Sequence, residues 1–145
     1  MTMFEKILSG HELGYFIRLL LCLFASFVVG FERTSRGKAA GVSTHFFVIA
    51  GSMTFAFASF LADPSSPARI AAQIVTGVGF LGAGIILKRE EGKIVNLTTA
   101  ASIWFAAALG TTIGFGWYVV SLLATLFAVF VPRLPHMPGK HYPQE

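Results

Sequence analysis

The 145-residue chain is long enough for one domain, yet only 12% of it is charged while 54% is hydrophobic, with fifteen phenylalanines. So little polar side chain cannot cover a water-facing surface, which excludes a soluble globular protein and points to an integral membrane protein. The net charge of +4 comes from Lys and Arg at the ends of apolar runs. There they read as topology signals and anionic-lipid contacts, and nothing in the pattern calls for nucleic acid.

Five apolar runs have roughly the length that crosses a ~30 Å hydrocarbon core. The first, residues 13–31, is interrupted by Arg18, which lies near one end and can snorkel to the interface. Glu5 and Glu12 spoil the basic segment of a secretory signal, and no small-x-small cleavage site follows Phe31. The run is therefore expected to be a retained first span. It holds Cys22, the single cysteine, so an internal disulfide is excluded and a small buried apolar role is the simple reading. Glu32 and Arg33 end the run. Arg33 suits the negative end of a helix, whereas Glu32 opposes it. Glu32 needs either a specific partner, Arg36 four residues on or His45, or hydration at the interface. His45, at the mouth of the second run (residues 44–61), could titrate, but a lone histidine does not make a metal site.

Asp63-Pro64-Ser65-Ser66-Pro67 spells a turn, with Pro67 suited to start a helix. The third run, residues 70–87, is uncharged and carries Gly77, Gly79, Gly82 and Gly84. A water-soluble helix would not tolerate so many glycines at ~1 kcal/mol each. In a bilayer an unpaired backbone group is so costly that the helix persists, and small residues let neighbours approach. Gly77-Val78-Gly79-Phe80-Leu81-Gly82 matches a dinucleotide-binding pattern, but that pattern requires a preceding strand and a soluble βαβ unit. Packing glycines are the better account. At 100° per residue Arg69, Gln73, Thr76, Gly77, Phe80 and Gly84 share one arc, Gly82 faces the opposite way and Gly79 points sideways. Small residues on several faces predict that this helix is surrounded by protein, as the central element of the bundle. Gln73 then acts as interhelical glue or as a polar mid-membrane site.

The fourth run, residues 97–113, carries a stripe of Thr98, Ser102, Phe105, Leu109 and Thr112, whose hydroxyls can bond within their own helix. Trp104 sits mid-span. The fifth run, residues 115–131, follows Gly114 and its neighbours, so the two form a tight hairpin or one broken segment. Trp117 and Tyr118 read as an external aromatic belt. Residues 1–131 are thus expected to form the bundle and residues 132–145, with four of the six prolines, a disordered cytoplasmic tail. Arg33, Arg36, Lys38, Lys88, Arg89, Lys93, Arg133 and Lys140 fall on one face of a five-span topology, against Lys6, Arg18 and Arg69 on the other. The positive-inside rule then puts the N-terminus outside and the C-terminus in the cytoplasm. That side also disqualifies the sequon Asn96-Leu97-Thr98 as a glycosylation site. There is no internal repeat of the kind an inverted-repeat transporter would show.

The expected class is therefore all-α, a polytopic membrane helix bundle of about five transmembrane helices. No nucleophile–base grouping or Cys/His cluster is visible, and Asp and Glu are absent from the five apolar interiors. That speaks against catalysis, a proton relay, a dedicated divalent-cation site or a cofactor.

Several segments, in order, resemble the MgtC/SapB family of bacterial membrane proteins. They are Gly30-Phe31-Glu32-Arg33 with Arg36-Gly37, Ala40-Gly41-Val42-Ser43-Thr44-His45, Arg69-Ile70-Ala71-Ala72-Gln73 running into the glycine segment to Gly84, and Leu97-Thr98-Thr99-Ala100-Ala101 with Trp104. The likeness spans roughly residues 15–131. It implies a bacterial inner-membrane protein tied to growth under magnesium limitation and, in some pathogens, to survival inside host cells. Better-studied members look like regulators, including inhibitors of the membrane ATP synthase, so a membrane-protein partner is implied. Thr98 stands where virulence-type members carry Asn, Phe105 where they carry Cys, and Ser66 where an acid commonly precedes the third span. Longer relatives add a soluble cytoplasmic domain, so this chain resembles a short form without it.

The residues expected to matter for function or packing are Glu32, Arg33, Arg36, His45, Arg69, Gln73, Gly77, Gly79, Gly82, Gly84, Thr98, Thr99, Ser102 and Trp104. Two functional readings stand beside each other. One is a non-enzymatic regulator acting through helix contacts in the bilayer, and the other a small channel or transporter, formed as a homo-oligomer and lined by Gln73 and the Thr98/Ser102 stripe. A lipid-modifying enzyme is the weakest reading, for want of a nucleophile–base pair.

Overall fold

The computed structural model describes residues 9–88 and 94–134. Five helices follow one another: α1 (Glu12–Ser35), α2 (Val42–Ala62), α3 (Ala68–Ile85), α4 (Leu97–Gly114) and α5 (Tyr118–Phe130). A two-residue antiparallel ribbon, Leu87–Lys88 with Ile94–Val95, joins α3 to α4, and a 3₁₀ turn, Val131–Arg133, follows α5. Arg89, Lys93 and most of the expected tail lie outside the described residues.

Outward-facing side chains are apolar around the bundle, among them Phe24 on α1, Phe47 on α2, Phe80 on α3 and Leu122 on α5. Only lipid or other membrane protein can cover such a surface, so this is a polytopic membrane bundle. Among the described residues four helices, α1 to α4, are long and apolar enough to span a membrane. α5 has 13 residues, because Gly114 to Trp117 go into ending α4 and turning the chain.

Two glycines set the turns at opposite ends. Gly37 (φ +66°) follows α1, and the amides of Gly37 and Lys38 return to the carbonyls of Thr34 and Arg33 at 3.0 Å each. Gly116 (φ +80°) follows α4, with its amide on Ile113 O (3.0 Å) and that of Trp117 on Thr112 O (2.9 Å). Both are Schellman closures, which need a left-handed residue just past the helix. Gly116 therefore makes the α4–α5 hairpin, and Gly114 is the last residue of α4, buried in the core.

The centre of the molecule is the seam between α2 and α4. Ile49, Met53 and Ala56 of α2 meet Ala106, Ala107, Leu109 and Ile113 of α4, all buried. The backbones come so close that a Cβ on Gly110 would strike the Ile49 carbonyl, and one on Gly114 would lie 2.6 Å from the Ala56 Cβ. α1 covers α2 on one side, α3 lies on α4 and α2 on the other, and α5 bridges α4 and α1.

This corrects the expectation that the third helix is the central one. α3 buries only Ala71, Ile74 and Val78, a strip at helical spacing. The arc from Arg69 through Gln73, Gly77 and Phe80 to Gly84 exists, but it faces out of the bundle, and Phe80 is 82% exposed. Nothing lies within 4 Å of a Cβ placed on Gly77, Gly79 or Gly84, while Gly82 faces Ala100 at 4.0 Å. The glycines that hold this chain together are Gly30, Gly110 and Gly114.

Several hydroxyls inside the bundle are satisfied close to home. Thr111 bonds Ala107 O, Thr125 bonds Ser121 O, and Ser102 bonds Thr99 O. Two side-chain pairs among the described residues cross helices: Tyr15 Oη and Thr54 Oγ1, 3.0 Å apart, tie α1 to α2, and Thr112 Oγ1 and Ser121 Oγ, 2.9 Å apart, tie α4 to α5. A double-mutant cycle with Thr112→Val and Ser121→Ala, read by thermal melting in detergent, is expected to give a coupling of about 0.6 kcal/mol, the typical size for interhelical hydrogen bonds in membranes.

Candidate functional site

One end of the bundle gathers the ionisable residues. The Schellman closure at Gly37 holds the last turn of α1 in place, and α2 starts at once beneath it. Gly30 permits this: a Cβ there would lie 2.6 Å from the Val42 amide nitrogen. The close crossing covers Glu32 and Arg33, each only 3% exposed, and His45, which is fully buried. Thr99, in the first turn of α4, is 1% exposed at the same end.

The charges are paired incompletely. Arg36 Nη1 lies 3.5 Å from Glu32 Oε1, one helical turn away, so Arg36 is the partner that Glu32 needs. Its burial rules out simple hydration. Among the described residues neither Glu32 oxygen accepts a hydrogen bond, and Arg33 Nε and Nη2, His45 Nε2 and Thr99 Oγ1 also lack partners. The Gly41 carbonyl sits 2.8 Å from His45 Nδ1. A carbonyl can only accept, so Nδ1 carries the proton and Nε2 is left free.

Beside this cluster a cavity of about 410 Å³ runs along α1, α4 and α5. Arg33, Arg36 and Lys38 line one end, with Thr98 and Ser102, and the rest is apolar, including Phe105, Leu109, Phe127 and Ala128. Val131 and Pro132 also reach it, so the end of α5 stands at the level of the α1–α2 loop and the start of α4. The three segments that the sequence assigns to one membrane face do share one end. The opposite end holds Arg18, which bonds Gly14 O at 3.0 Å and lies 4.9 Å over the Phe57 ring. Tyr118 is close by, 5.7 Å from the same guanidinium.

The remaining expected residues are scattered. Arg69 pairs with Asp63 at 3.8 Å but is 76% exposed, a contact of little energetic weight. Gln73 and Gly77 border a separate groove of about 470 Å³ between α2 and α3, against Phe47 and Phe55. Gly79 and Gly84 face outward, and Trp104 is half-exposed on the outside of α4. Gln73 and the Thr98/Ser102 stripe therefore line different grooves, and one chain does not join them into a path. No group of three or more His, Cys, Asp or Glu side chains that could hold a metal ion occurs among the described residues. The sequence reading passes over the seam glycines, although Ala106-x₃-Gly110-x₃-Gly114 is a small-residue repeat at helical spacing.

Comparison with known proteins places this geometry in a family. The MgtC family profile matches residues 19–136. The chain is 44% identical over 131 residues to the Escherichia coli K12 protein named "Putative magnesium transporter YhiD", covering 84% of this chain and 60% of that one. It is 41% identical over 112 residues to protein MgtC of Salmonella typhimurium LT2 (77% and 48% covered), and 44% identical over 118 residues to protein MgtC of Brucella abortus (78% and 49%). The chain thus spans about half to three-fifths of the length of these relatives, and no solved structure matches it. A profile match across most of the chain, together with these identities, settles the relationship: the chain belongs to the MgtC family.

Proposed function

We propose that this protein is a non-enzymatic regulator in a bacterial inner membrane that acts by helix contact with another membrane protein, in a setting of magnesium limitation. The observation that carries this reading is the outer face of α3. Gly77 and Gly84 leave bare backbone on that face with open space above it, and Gln73 is exposed on the same face. In hydrocarbon such a face gains little from lipid and much from a second helix, which can approach closely and satisfy the amide. Family membership supports the same reading, because the resemblance of its motifs implies regulators, the ATP synthase being one partner class. The orientation that goes with it, from the positive-inside rule, puts the Arg33 end in the cytoplasm and the Arg18 end outside.

The test is a pull-down in mild detergent from native membranes grown at low and at high magnesium. The wild-type chain is expected to enrich a specific membrane protein. Gly77→Leu with Gly84→Leu is expected to abolish that enrichment without lowering the melting temperature, since a Cβ at either position meets nothing within 4 Å. Enrichment unchanged by this pair of substitutions, or lost equally in a lipid-facing control on α5 such as Leu123→Phe, overturns the proposal.

A second reading, a channel or transporter for an ion or small solute, draws on the unpartnered polar groups at the Arg33 end and on the name of the E. coli relative. Arg33 and Arg36 beside the single carboxylate of Glu32 make that end unfavourable for a free divalent cation. Flux of Mg²⁺, K⁺, H⁺ or small solutes into proteoliposomes at high protein load decides between the two readings.

A further inference from the structure

We propose that the groove between α1, α4 and α5 is a binding site for an anionic phospholipid of the surrounding bilayer, its phosphate held by Arg33, Arg36 and Lys38 and an acyl chain lying along Phe105, Leu109 and Ala128. Five observations converge on this occupant.

Arg33 borders the cavity, is only 3% exposed, and has two guanidinium nitrogens, Nε and Nη2, with no protein acceptor. A buried guanidinium fork is matched by the oxygens of a phosphate, which can accept from both nitrogens at once. The charge at this end also favours an anion. Among the described residues around the groove, three cations (Arg33, Arg36, Lys38) and one carboxylate (Glu32) leave two positive charges. A zwitterionic head would bring its own cation into that field.

The rest of the lining is apolar, so the ligand has a polar head and a long apolar body. Free phosphate would gain nothing from Phe105 or Leu109. The volume, about 410 Å³, falls in the range of small-molecule sites. Finally, the groove is continuous with the lipid-facing surface. Phe127 and Val131 line it and are also 63% and 54% exposed, so a lipid can enter sideways from the bilayer.

The experiment uses the full chain, delipidated in detergent, with native mass spectrometry to count and titrate bound lipid. The probes are dioleoylphosphatidylglycerol, dioleoylphosphatidylethanolamine and inorganic phosphate. One phosphatidylglycerol is expected to bind about tenfold more tightly than phosphatidylethanolamine, with phosphate a poor competitor. Lys38→Gln removes an exposed head-group contact and Ala128→Trp fills the acyl channel; each is expected to weaken phosphatidylglycerol binding about tenfold. Val120→Trp adds the same bulk to the outer face of α5 and is expected to change nothing. Circular dichroism confirms that each variant keeps its helices. Equal affinity for the two lipids, competition by millimolar phosphate, occupation of the groove by a second copy of the chain, or insensitivity to both Lys38→Gln and Ala128→Trp overturns the proposal.

Discussion

Gly110→Ala is expected to destabilise the bundle by about 3 kcal/mol, while Gly77→Ala leaves it as stable or slightly more so. The two substitutions are chemically identical and both sit within spanning helices. They differ in what the added methyl meets. At Gly110 it meets the Ile49 carbonyl, part of the α2 backbone, with the Ile49 Cα 3.0 Å away. No rotamer change can make room, so α2 and α4 must separate. That separation opens the seam where Met53, Leu109 and Ile113 are buried. At Gly77 the methyl meets open space, and alanine is the better helix former. Thermal melting of the purified chain in mild detergent, followed by size-exclusion chromatography, measures both. If the two variants melt together, α3 and not the α2–α4 seam organises the fold.

The second large effect is expected at Glu32. Among the described residues Glu32 is the carboxylate beside Arg33, which is itself 3% exposed, so Glu32→Gln leaves a buried cation without that counter-charge. Breaking a buried pair in this way costs about 3–5 kcal/mol. Arg36→Gln, at the other end of the Glu32–Arg36 ion pair, is expected to cost only about 1 kcal/mol, because Arg36 is 41% exposed and its loss leaves no buried cation uncompensated. Combining Glu32→Gln with Arg33→Met is expected to recover part of the loss, since both buried charges are then gone. The same melting assay, run on all four proteins, checks the order. A Glu32→Gln variant no weaker than Arg36→Gln would mean that Glu32 carries no structural charge.

How far the sequence was legible depends on the kind of information each feature needs. Helix existence follows from run length and hydropathy, so all five helices lie close to the apolar runs. The i, i+4 spacing of Glu32 and Arg36 identifies the ion pair without a structure. Of the stripe Thr98, Ser102, Phe105, Leu109 and Thr112, the first four line one groove, while Thr112 turns to Ser121 of α5. Periodicity also groups Gln73, Gly77, Phe80 and Gly84 correctly on one face of α3.

What periodicity could not supply was the direction of that face. In water the apolar side of a helix must point inward, but in a bilayer both sides are apolar and amphipathicity gives no bearing. Glycine number was then a poor guide, because a glycine facing outward and one gripped by a neighbour look alike in the chain. Burial of Arg33 and His45 was hidden for a similar reason. It depends on Gly30 letting Val42 cross the end of α1, a contact between segments that no local pattern encodes.

The brevity of α5 has a consequence for the bilayer itself. With the 3₁₀ turn that continues it to Arg133, this segment rises only about 25 Å, against a hydrocarbon thickness of about 30 Å. α1, with 24 residues, is long enough to cross with some tilt. One flank of the molecule therefore matches its host and the other does not. Lipids beside α5 must pinch inward, and each ångström of mismatch costs a fraction of a kcal/mol. That asymmetry makes the protein sensitive to acyl-chain length and gives it a preferred neighbourhood within a membrane of uneven thickness.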